Sequence, residues 1–271
     1  MTGAENNRPA KSNIRIYGNA PYGVAVLHGG PGAPGYMAPV ARELSVRRGI
    51  LEPLQSKDSV EGQIDELITQ LTQHADFPVT LIGASWGALL ALLTAVRNQV
   101  DIAKLILVGC AVFDAASSAA IEERRRSRMD AQTLRRYDEL KCAMTSATSD
   151  ELQQLAPHWA EIIHEADSFD PVTTDSERIE IQLDINRKVW GEFKTLRDTP
   201  GLLHDRLSEI NVPVLVIQGD YDPHDISGVQ PFLEGCLRDV RFIVLPECGH
   251  EPWRERRARD RFYAILNAEL A

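Results

Sequence analysis

Short runs of consecutive apolar residues recur along the chain, and stretches with helical spacing separate them. The runs lie at 23–27, 78–82, 104–108, 212–217 and 242–245. Because these runs are continuous rather than alternating, they are typical of strands that are covered on both faces. The helix-prone stretches that would cover them lie at 60–74, 86–98, 226–238 and 252–269. The pattern predicts an α/β fold with a doubly wound, mainly parallel sheet, to which the weaker runs 14–17 and 49–51 would add edge strands.

The pattern changes in the middle of the chain. Residues 114–204 are polar and helix-prone, and no run among them has the character of a buried strand. A helical insertion between two strands of a parallel sheet is the simplest interpretation. The sequence therefore predicts a core formed by residues 1–113 and 205–271, with residues 114–204 inserted as a helical cap.

The charges of this cap are divided unevenly along the chain. Residues 124–141 carry seven basic against three acidic side chains, whereas residues 150–184 carry ten acidic against one basic. We favour the interpretation that the helices of the two halves pack antiparallel and neutralise one another on solvated faces. In the alternative, the acidic half faces the cleft and favours a cationic group of a substrate.

Composition excludes several classes of function. The net charge of −10 repels phosphate backbones and argues against nucleic-acid binding. The arginine-rich runs at 124–128 and 254–261 include or adjoin acidic residues, so we interpret them as solvated helix faces. No apolar run approaches the roughly 20 residues that a membrane span needs, so we expect no membrane partner. The four cysteines are widely spaced and the first residues lack an apolar leader, which favours a cytoplasmic location. The oligomeric state stays open.

A candidate nucleophile lies between one predicted strand and the next helix. Gly83-Ala84-Ser85-Trp86-Gly87 follows the apolar run 78–82 directly and precedes a run of alanine and leucine. A serine on so tight a strand-to-helix turn is held in a strained conformation with its hydroxyl exposed. The turn needs small residues two positions before and after the serine, and glycine fills both positions.

A serine hydroxyl needs a base to remove its proton, and the base needs an acid to orient it. His250 follows the predicted strand 242–245 and is the preferred base, whereas His224 is interpreted as a surface or rim residue. Carboxylates follow the predicted strand 212–217, and parallel strands end at one sheet edge. Asp222 is the preferred acid, followed by Asp220 and then Asp225.

The loop after the first buried strand is suited to binding an oxyanion. His28-Gly29-Gly30-Pro31-Gly32 allows the backbone to approach a substrate closely, and its proline cannot donate a hydrogen bond. The main-chain N–H groups of Gly30 and Trp86 are therefore the expected donors to the attacked oxygen. His28 is expected to shape this loop through hydrogen bonds.

Other chemistries have little support in the sequence. No His-Glu-x-x-His motif is present, and His158 and His164 are interpreted as parts of an exposed helix face rather than as metal ligands. No phosphate-binding or dinucleotide-binding loop follows a strand. Cys248 is interpreted as a small buried residue rather than as a nucleophile. We therefore expect no metal and no organic cofactor.

The two glycine-rich motifs, His28–Gly32 and Gly83–Gly87, resemble those of the proline iminopeptidase branch of the α/β-hydrolase superfamily. The resemblance implies an α/β-hydrolase fold with Ser85 as nucleophile, Asp222 as acid and His250 as base. It also implies that the main chains of Gly30 and Trp86 form the oxyanion hole. The residues assigned to substrate binding are His28, Gly29, Trp159 and Trp190, with Phe169 and Phe193 as further candidates for the pocket lining. For the four aromatic residues, packing in the core of the cap is the favoured alternative.

The implied function is that of a serine hydrolase that cleaves a small ester, amide or N-terminal peptide bond through an acyl-enzyme. Its partner would be a small molecule or a short peptide. Two alternatives stay open. One is a lyase or a cofactor-free enzyme that uses the same triad. The other is a non-catalytic receptor that holds a small ligand in the capped pocket.

Overall fold

A seven-stranded sheet forms the centre of the protein in the computed structural model, which describes residues 13–172 and 182–271. The strands are β1 (Ile14–Tyr17), β2 (Val24–Leu27), β3 (Ile50–Pro53), β4 (Val79–Ala84), β5 (Ile102–Val108), β6 (Val214–Gly219) and β7 (Val240–Leu245). Their order across the sheet is β1-β3-β2-β4-β5-β6-β7. The pairing of β1 with β3 is antiparallel, and the other pairings are parallel. The predicted doubly wound sheet is confirmed, including both weaker strands.

Ten α-helices surround and extend this sheet among the described residues. They are α1 (Ala38–Ser45), α2 (Val60–His74), α3 (Trp86–Arg97), α4 (Ala115–Ser127), α5 (Ala131–Ser146), α6 (Ser149–Asp167), α7 (Leu183–Asp198), α8 (Leu202–Leu207), α9 (Gln230–Cys236) and α10 (Arg259–Glu269). The predicted stretches 226–238 and 252–269 each begin with a short 3-10 turn before the α-helix. The sequence did not predict α1.

The inner strands of the sheet are mostly buried on both faces, which explains why their apolar runs do not alternate, whereas the edge strand β7 is partly exposed. Leu81 and Leu105 point into the core layer that contains α2 and α3. Their neighbours Ile82 and Ile106 point to the opposite face, into the layer with residues of α1 and α10. Successive side chains of a strand face opposite ways, so a strand with two covered faces must be apolar throughout.

Five helices, α4 to α8, lie between β5 and β6, and we call them the helical insertion. Ion pairs link its basic and acidic halves. Arg136 lies 3.5 Å from Glu161 on an exposed surface, as expected for neutralisation between helices. Arg125 and Asp167 are instead largely buried and form a two-pronged pair, with both N–O distances at 2.6 Å. The domain limits at 114 and 204 remain a prediction. Within the described ranges, no helix combines the length and apolar character needed to cross a bilayer.

Candidate active site

Ser85 lies on a sharp turn between β4 and α3. Its backbone has φ 52° and ψ −116°, a conformation that a residue with a side chain adopts at a cost of about 1–3 kcal/mol. Two hydrogen bonds hold it there: Ser85 N donates to the carbonyl of Val108 over 2.9 Å, and its own carbonyl accepts from Ala88 N over 3.0 Å. The side chain stays partly exposed. The turn thus presents the hydroxyl at the carboxyl edge of the sheet.

The glycines on either side of Ser85 are required by direct contact. A Cβ atom built on Gly83 would lie 2.2 Å from the carbonyl oxygen of Gly87. A Cβ atom on Gly87 would lie 2.2 Å from the carbonyl oxygen of Leu27 in β2. Real Cβ atoms do not approach backbone oxygens so closely, so only glycine allows α3 to pack against β4 and β2 at this angle.

His250 and Asp222 form a buried pair beside this turn. Nδ1 of His250 lies 2.8 Å from Oδ2 of Asp222, so the imidazole donates through Nδ1 and leaves Nε2 available to a hydroxyl. The ring packs against Gly109, where a Cβ atom would lie 3.0 Å from Nδ1 of His250. Gly109 follows Val108, whose carbonyl binds the main chain of Ser85. The end of β5 therefore brings the imidazole next to the serine turn.

The carboxylate of Asp222 is fixed by several donors. Its Oδ2 also accepts from Nε2 of Gln218 over 2.8 Å, and its Oδ1 accepts from the main-chain N of His224 over 2.8 Å. Burial alone would raise the pKa of Asp222, but His250 and His224 hold this pKa well below its usual range. Asp222 therefore stays charged and keeps the imidazole oriented.

The charge of Asp222 also acts on the base. Burial lowers the pKa of His250, but Asp222, with smaller contributions from Asp167 and Glu251, outweighs burial and raises the pKa to about 9. The main-chain N of His250 donates to the carbonyl of Asp167 over 2.9 Å. This bond ties the loop that carries His250 to the helical insertion.

His224 corrects one expectation from the sequence. It is half-buried and lines a cavity, as a rim residue would, but it also belongs to the site: its Nδ1 lies 3.0 Å from Oδ1 of Asp222, and its ring stacks on His250 with 4.5 Å between centroids. The proximity of the two residues in sequence is what allows the contact, because an aspartate in a turn readily accepts from the N–H two residues later. Burial, followed by the charge of His250, lowers the pKa of His224.

The other two candidate acids have different tasks. Asp220 accepts from the main-chain N of Cys248 over 3.2 Å. Asp225 caps the 3-10 turn at Ile226–Gly228 by accepting from Ser227 N over 2.8 Å. Of the three carboxylates, Asp222 is the one that the structure brings to His250.

The glycine-rich loop after β2 lies directly against the serine. A Cβ atom on Gly29 would lie 3.1 Å from Cβ of Ser85. Gly30 has a left-handed backbone with φ 44°, and a Cβ atom there would make only an ordinary contact, 3.8 Å from Cβ of Ala33. Trp86 begins α3, and the first N–H groups of a helix have no acceptor within it. Both expected oxyanion donors therefore flank the serine turn.

His28 does not reach a substrate, contrary to its assignment to substrate binding. Its side chain is fully buried, and Gln55 N donates to its Nε2 over 3.1 Å. Nδ1 then donates to the carbonyl of Gly29 over 3.1 Å. Burial outweighs that bond and lowers the pKa of His28 to about 4, so the ring stays neutral. His28 therefore makes the hydrogen bonds that were expected to shape the loop, but its side chain is not accessible to solvent.

The aromatic candidates divide into packing residues and cavity residues. Trp86 is fully buried and donates through Nε1 to Oε1 of Gln63 over 2.7 Å, so its side chain is part of the core. Phe193 of α7 packs on it at 5.7 Å and is also buried. Trp159 and Trp190 line a cavity between the insertion and the core. Phe169 is exposed and does not line this cavity.

Glu255 is a structural part of the site that the sequence did not predict. It was interpreted as part of a solvated arginine-rich run, yet it is 1% exposed. Its Oε1 accepts from Gly249 N over 2.9 Å and from Phe169 N over 2.8 Å, and its Oε2 accepts from Asp170 N over 2.7 Å. One carboxylate thus joins the loop before His250 to the end of α6.

Two other features near His250 could in principle carry chemistry: the thiol of Cys248 and a cluster of side chains that could bind a metal ion. Cys248 is buried, and burial raises the pKa of its thiol, as does the nearby charge of Glu255, so it is a poor nucleophile. Ligand atoms of Asp222, His224 and His250 lie within 4.8 Å of one another and are the described group that could hold a metal ion. Both imidazoles already direct Nδ1 at the carboxylate, which orients the rings beside a charged Asp222.

The fold and this site define a class of protein: α/β proteins that carry a serine on a strand-to-helix turn, with an imidazole and a carboxylate from later strand ends. The comparison of sequences places the chain within that class. Residues 24–265 match the alpha/beta hydrolase family, and the chain belongs to this family. No curated protein matches the chain in sequence.

Solved structures share the fold at low sequence identity. The crystal structure of VinJ is 21% identical with a TM-score of 0.69, and the match covers 95% of this chain and 93% of that one. The proline iminopeptidase of Mycobacterium smegmatis is 21% identical with a TM-score of 0.62, over 95% and 93% of the two chains. MenH from S. aureus is 19% identical with a TM-score of 0.59, over 96% and 98%. Similarity at this level establishes the α/β-hydrolase fold. The reaction has to be inferred from the residues of the site.

Proposed function

We propose that this protein is a serine hydrolase that cleaves a small ester, amide or N-terminal peptide bond through an acyl-enzyme. The observation that carries the proposal is the 2.8 Å bond between His250 Nδ1 and Asp222 Oδ2, formed beside the turn that exposes Ser85. This bond fixes the tautomer in which Nε2 has a free lone pair, as a general base requires. The likeness in fold to a proline iminopeptidase supports the peptide-bond option without selecting it.

The reaction would proceed in two halves. Nε2 of His250 takes the proton of the Ser85 hydroxyl while Oγ forms a bond to the substrate carbonyl carbon. The charge that develops on the carbonyl oxygen is stabilised by the main-chain N–H groups of Gly30 and Trp86, and one such donor is worth about 3–4 kcal/mol. The tetrahedral intermediate expels the leaving group, which receives the proton from His250. Water then attacks the acyl-enzyme by the same steps and releases the acid.

Hydrolysis of a substrate panel tests this proposal. Proline anilide, other aminoacyl anilides and short-chain p-nitrophenyl esters separate peptidase from esterase activity. We expect turnover of at least one class, an initial burst of product, and a mass increase equal to the acyl group on the intact enzyme. Ser85→Ala should abolish all three, whereas Ser146→Ala, on the exposed surface of α5, should not.

Two outcomes would overturn the proposal. Turnover without a detectable acyl-enzyme would indicate a lyase or another direct reaction on the same residues. Equal turnover by wild type and Ser85→Ala would remove the serine from the chemistry.

A further inference from the structure

A cavity of about 610 Å³ lies between the helical insertion and the core of the protein, and His224 is among its lining residues. Two of its lining residues touch the site. The ring of His224 stacks on His250 with 4.5 Å between centroids, and Trp190 packs on Trp86, the residue after Ser85, at 5.5 Å. The cavity therefore reaches side chains that pack directly on His250 and on the ring of Trp86, and part of a bound substrate would extend into it.

Much of the cavity wall is apolar. Trp159 stacks on Tyr137 with 4.6 Å between centroids, and both line the cavity. Leu152 and Met144 lie on the same wall. Such a lining suits an alkyl or aromatic portion of a ligand, with a few polar groups to fix its orientation.

The charged residues of the lining are mainly basic. The lining has five cationic side chains, from Arg125, Lys141, Arg187, Lys194 and Arg197. Among the described lining residues, Glu122 is the acidic one. A predominantly positive lining raises the local concentration of anionic ligands and lowers that of cationic ones.

Three of these cations are neutralised within the protein. Arg125 pairs with Asp167, Lys141 with Glu122, and Arg197 with Asp198. The two remaining cations of the lining are Arg187 and Lys194.

Across 13–172 and 182–271, neither Arg187 nor Lys194 has an acidic side chain within ion-pair distance. They lie on α7 three residues before and four residues after Trp190, so all three share one face of the helix. At 1.5 Å of rise per residue, each cation lies within about 6 Å of Trp190 along the axis. Two positive charges without an ion-pair partner among the described residues thus flank Trp190, and that of Lys194 also acts on Asp198, which pairs with Arg197.

We propose that this cavity selects substrates that carry an anionic group, a carboxylate or a phosphate, on an apolar chain. The inference rests on the proposed hydrolase function and specifies its substrate class. It replaces the alternative in which the acidic half of the insertion attracts a cationic substrate. Of residues 150–184 in the described ranges, those that line the cavity are Leu152, Trp159 and Leu183, which are apolar.

Esters that differ only at the far end of the acyl chain test the inference. We would use p-nitrophenyl esters with an eight-carbon acyl chain that ends in methyl, carboxylate, phosphonate or trimethylammonium. We expect the kcat/KM of an anionic ester to exceed that of the methyl ester about ten-fold and the trimethylammonium ester to be the poorest. The carboxylate and phosphonate esters show which anion is preferred, and the advantage should shrink at high salt.

Single substitutions test whether Arg187 and Lys194 cause the preference for anionic esters. Arg187→Gln and Lys194→Gln should each lower the anionic-to-methyl ratio of kcat/KM about three-fold, and the double variant about ten-fold. Lys188→Gln is the matched control, because Lys188 is on the same helix, pairs with Asp58 and does not line the cavity. It should leave the ratio unchanged. Equal kcat/KM for the methyl and anionic esters, or a preference for the trimethylammonium ester, would overturn the inference.

Binding to Ser85→Ala separates this inference from the proposed function. Calorimetry with the same four esters measures selection by the cavity whether or not the wild type hydrolyses them. Tighter binding of an anionic ester, lost in Arg187→Gln/Lys194→Gln, supports the cavity inference even if the wild type shows no turnover. Equal binding of all four esters overturns it even if hydrolysis is observed.

Discussion

Replacing Glu255 with glutamine alters a buried carboxylate that holds the loop of the proposed base against the helical insertion. Glu255 accepts three main-chain hydrogen bonds, from Gly249, Phe169 and Asp170, at 2.7–2.9 Å. Glutamine can retain one oxygen. Its amide nitrogen must then face at least one N–H donor, so one hydrogen bond is lost and two donors oppose each other.

The size of the effect follows from these contacts. A buried donor left without a partner costs about 1–3 kcal/mol, and hydrogen bonds to a charged group are stronger than those to a neutral one. We therefore expect Glu255→Gln to lower the free energy of unfolding by about 2–3 kcal/mol. Glu255→Ala leaves all three donors unpaired and should cost more than glutamine. Total stability is about 5–15 kcal/mol, so the loss is readily measured.

Urea unfolding monitored by tryptophan fluorescence measures this loss. Glu247→Gln is the matched control, because it makes the same chemical change at an exposed ion pair with Arg257. Such surface pairs contribute about 0–1 kcal/mol. The free energy of unfolding of Glu255→Gln should fall well below that of the control, and kcat should fall with it because Gly249 adjoins His250. Equal stability of the two variants would refute the role assigned to Glu255.

Two further predictions concern the site and its turn. The negative charge of Asp222 favours protonated His250, so kcat/KM should fall as the pH drops, with a midpoint above the ordinary histidine value of about 6.5; Asp222→Asn should move that midpoint to lower pH, and an unchanged midpoint would contradict the assignment. Gly87→Ala places a Cβ atom 2.2 Å from the carbonyl oxygen of Leu27 and should cost about 3 kcal/mol in thermal or urea unfolding. Gly191→Ala in α7, where the new Cβ atom meets nothing within 4 Å, should cost nothing, and similar losses in both variants would contradict this explanation.

Much of the fold could be predicted because its strands are buried on both faces. β4, β5 and β6 are mainly apolar for that reason, with one polar residue each, and their sequences differ from those of the helices between them. The helix α1 was not predicted because it is short, and because Pro39 lies in its first turn, directly after a glycine-rich loop. Proline is tolerated at that position, but it gives no helical periodicity to detect.

The site was less predictable than the sheet, because charged and polar residues do not reveal which of them turn inward. The runs at 124–128 and 254–261 suggested solvated faces, yet Arg125 and Glu255 lie in buried networks. Gln218, which holds Asp222, had a detectable signal, because it is a polar residue at the end of an apolar strand. No corresponding signal distinguishes Glu255 from its exposed neighbours in sequence.

Labelling with a fluorophosphonate probe, followed by peptide mass spectrometry, tests the central claim most directly. The account predicts one adduct, on the peptide that contains Ser85. It also predicts labelling at least about 100-fold slower in His250→Ala, since a general base contributes about 10²–10⁴-fold. An adduct on another residue, or equal labelling rates in wild type and His250→Ala, would contradict it.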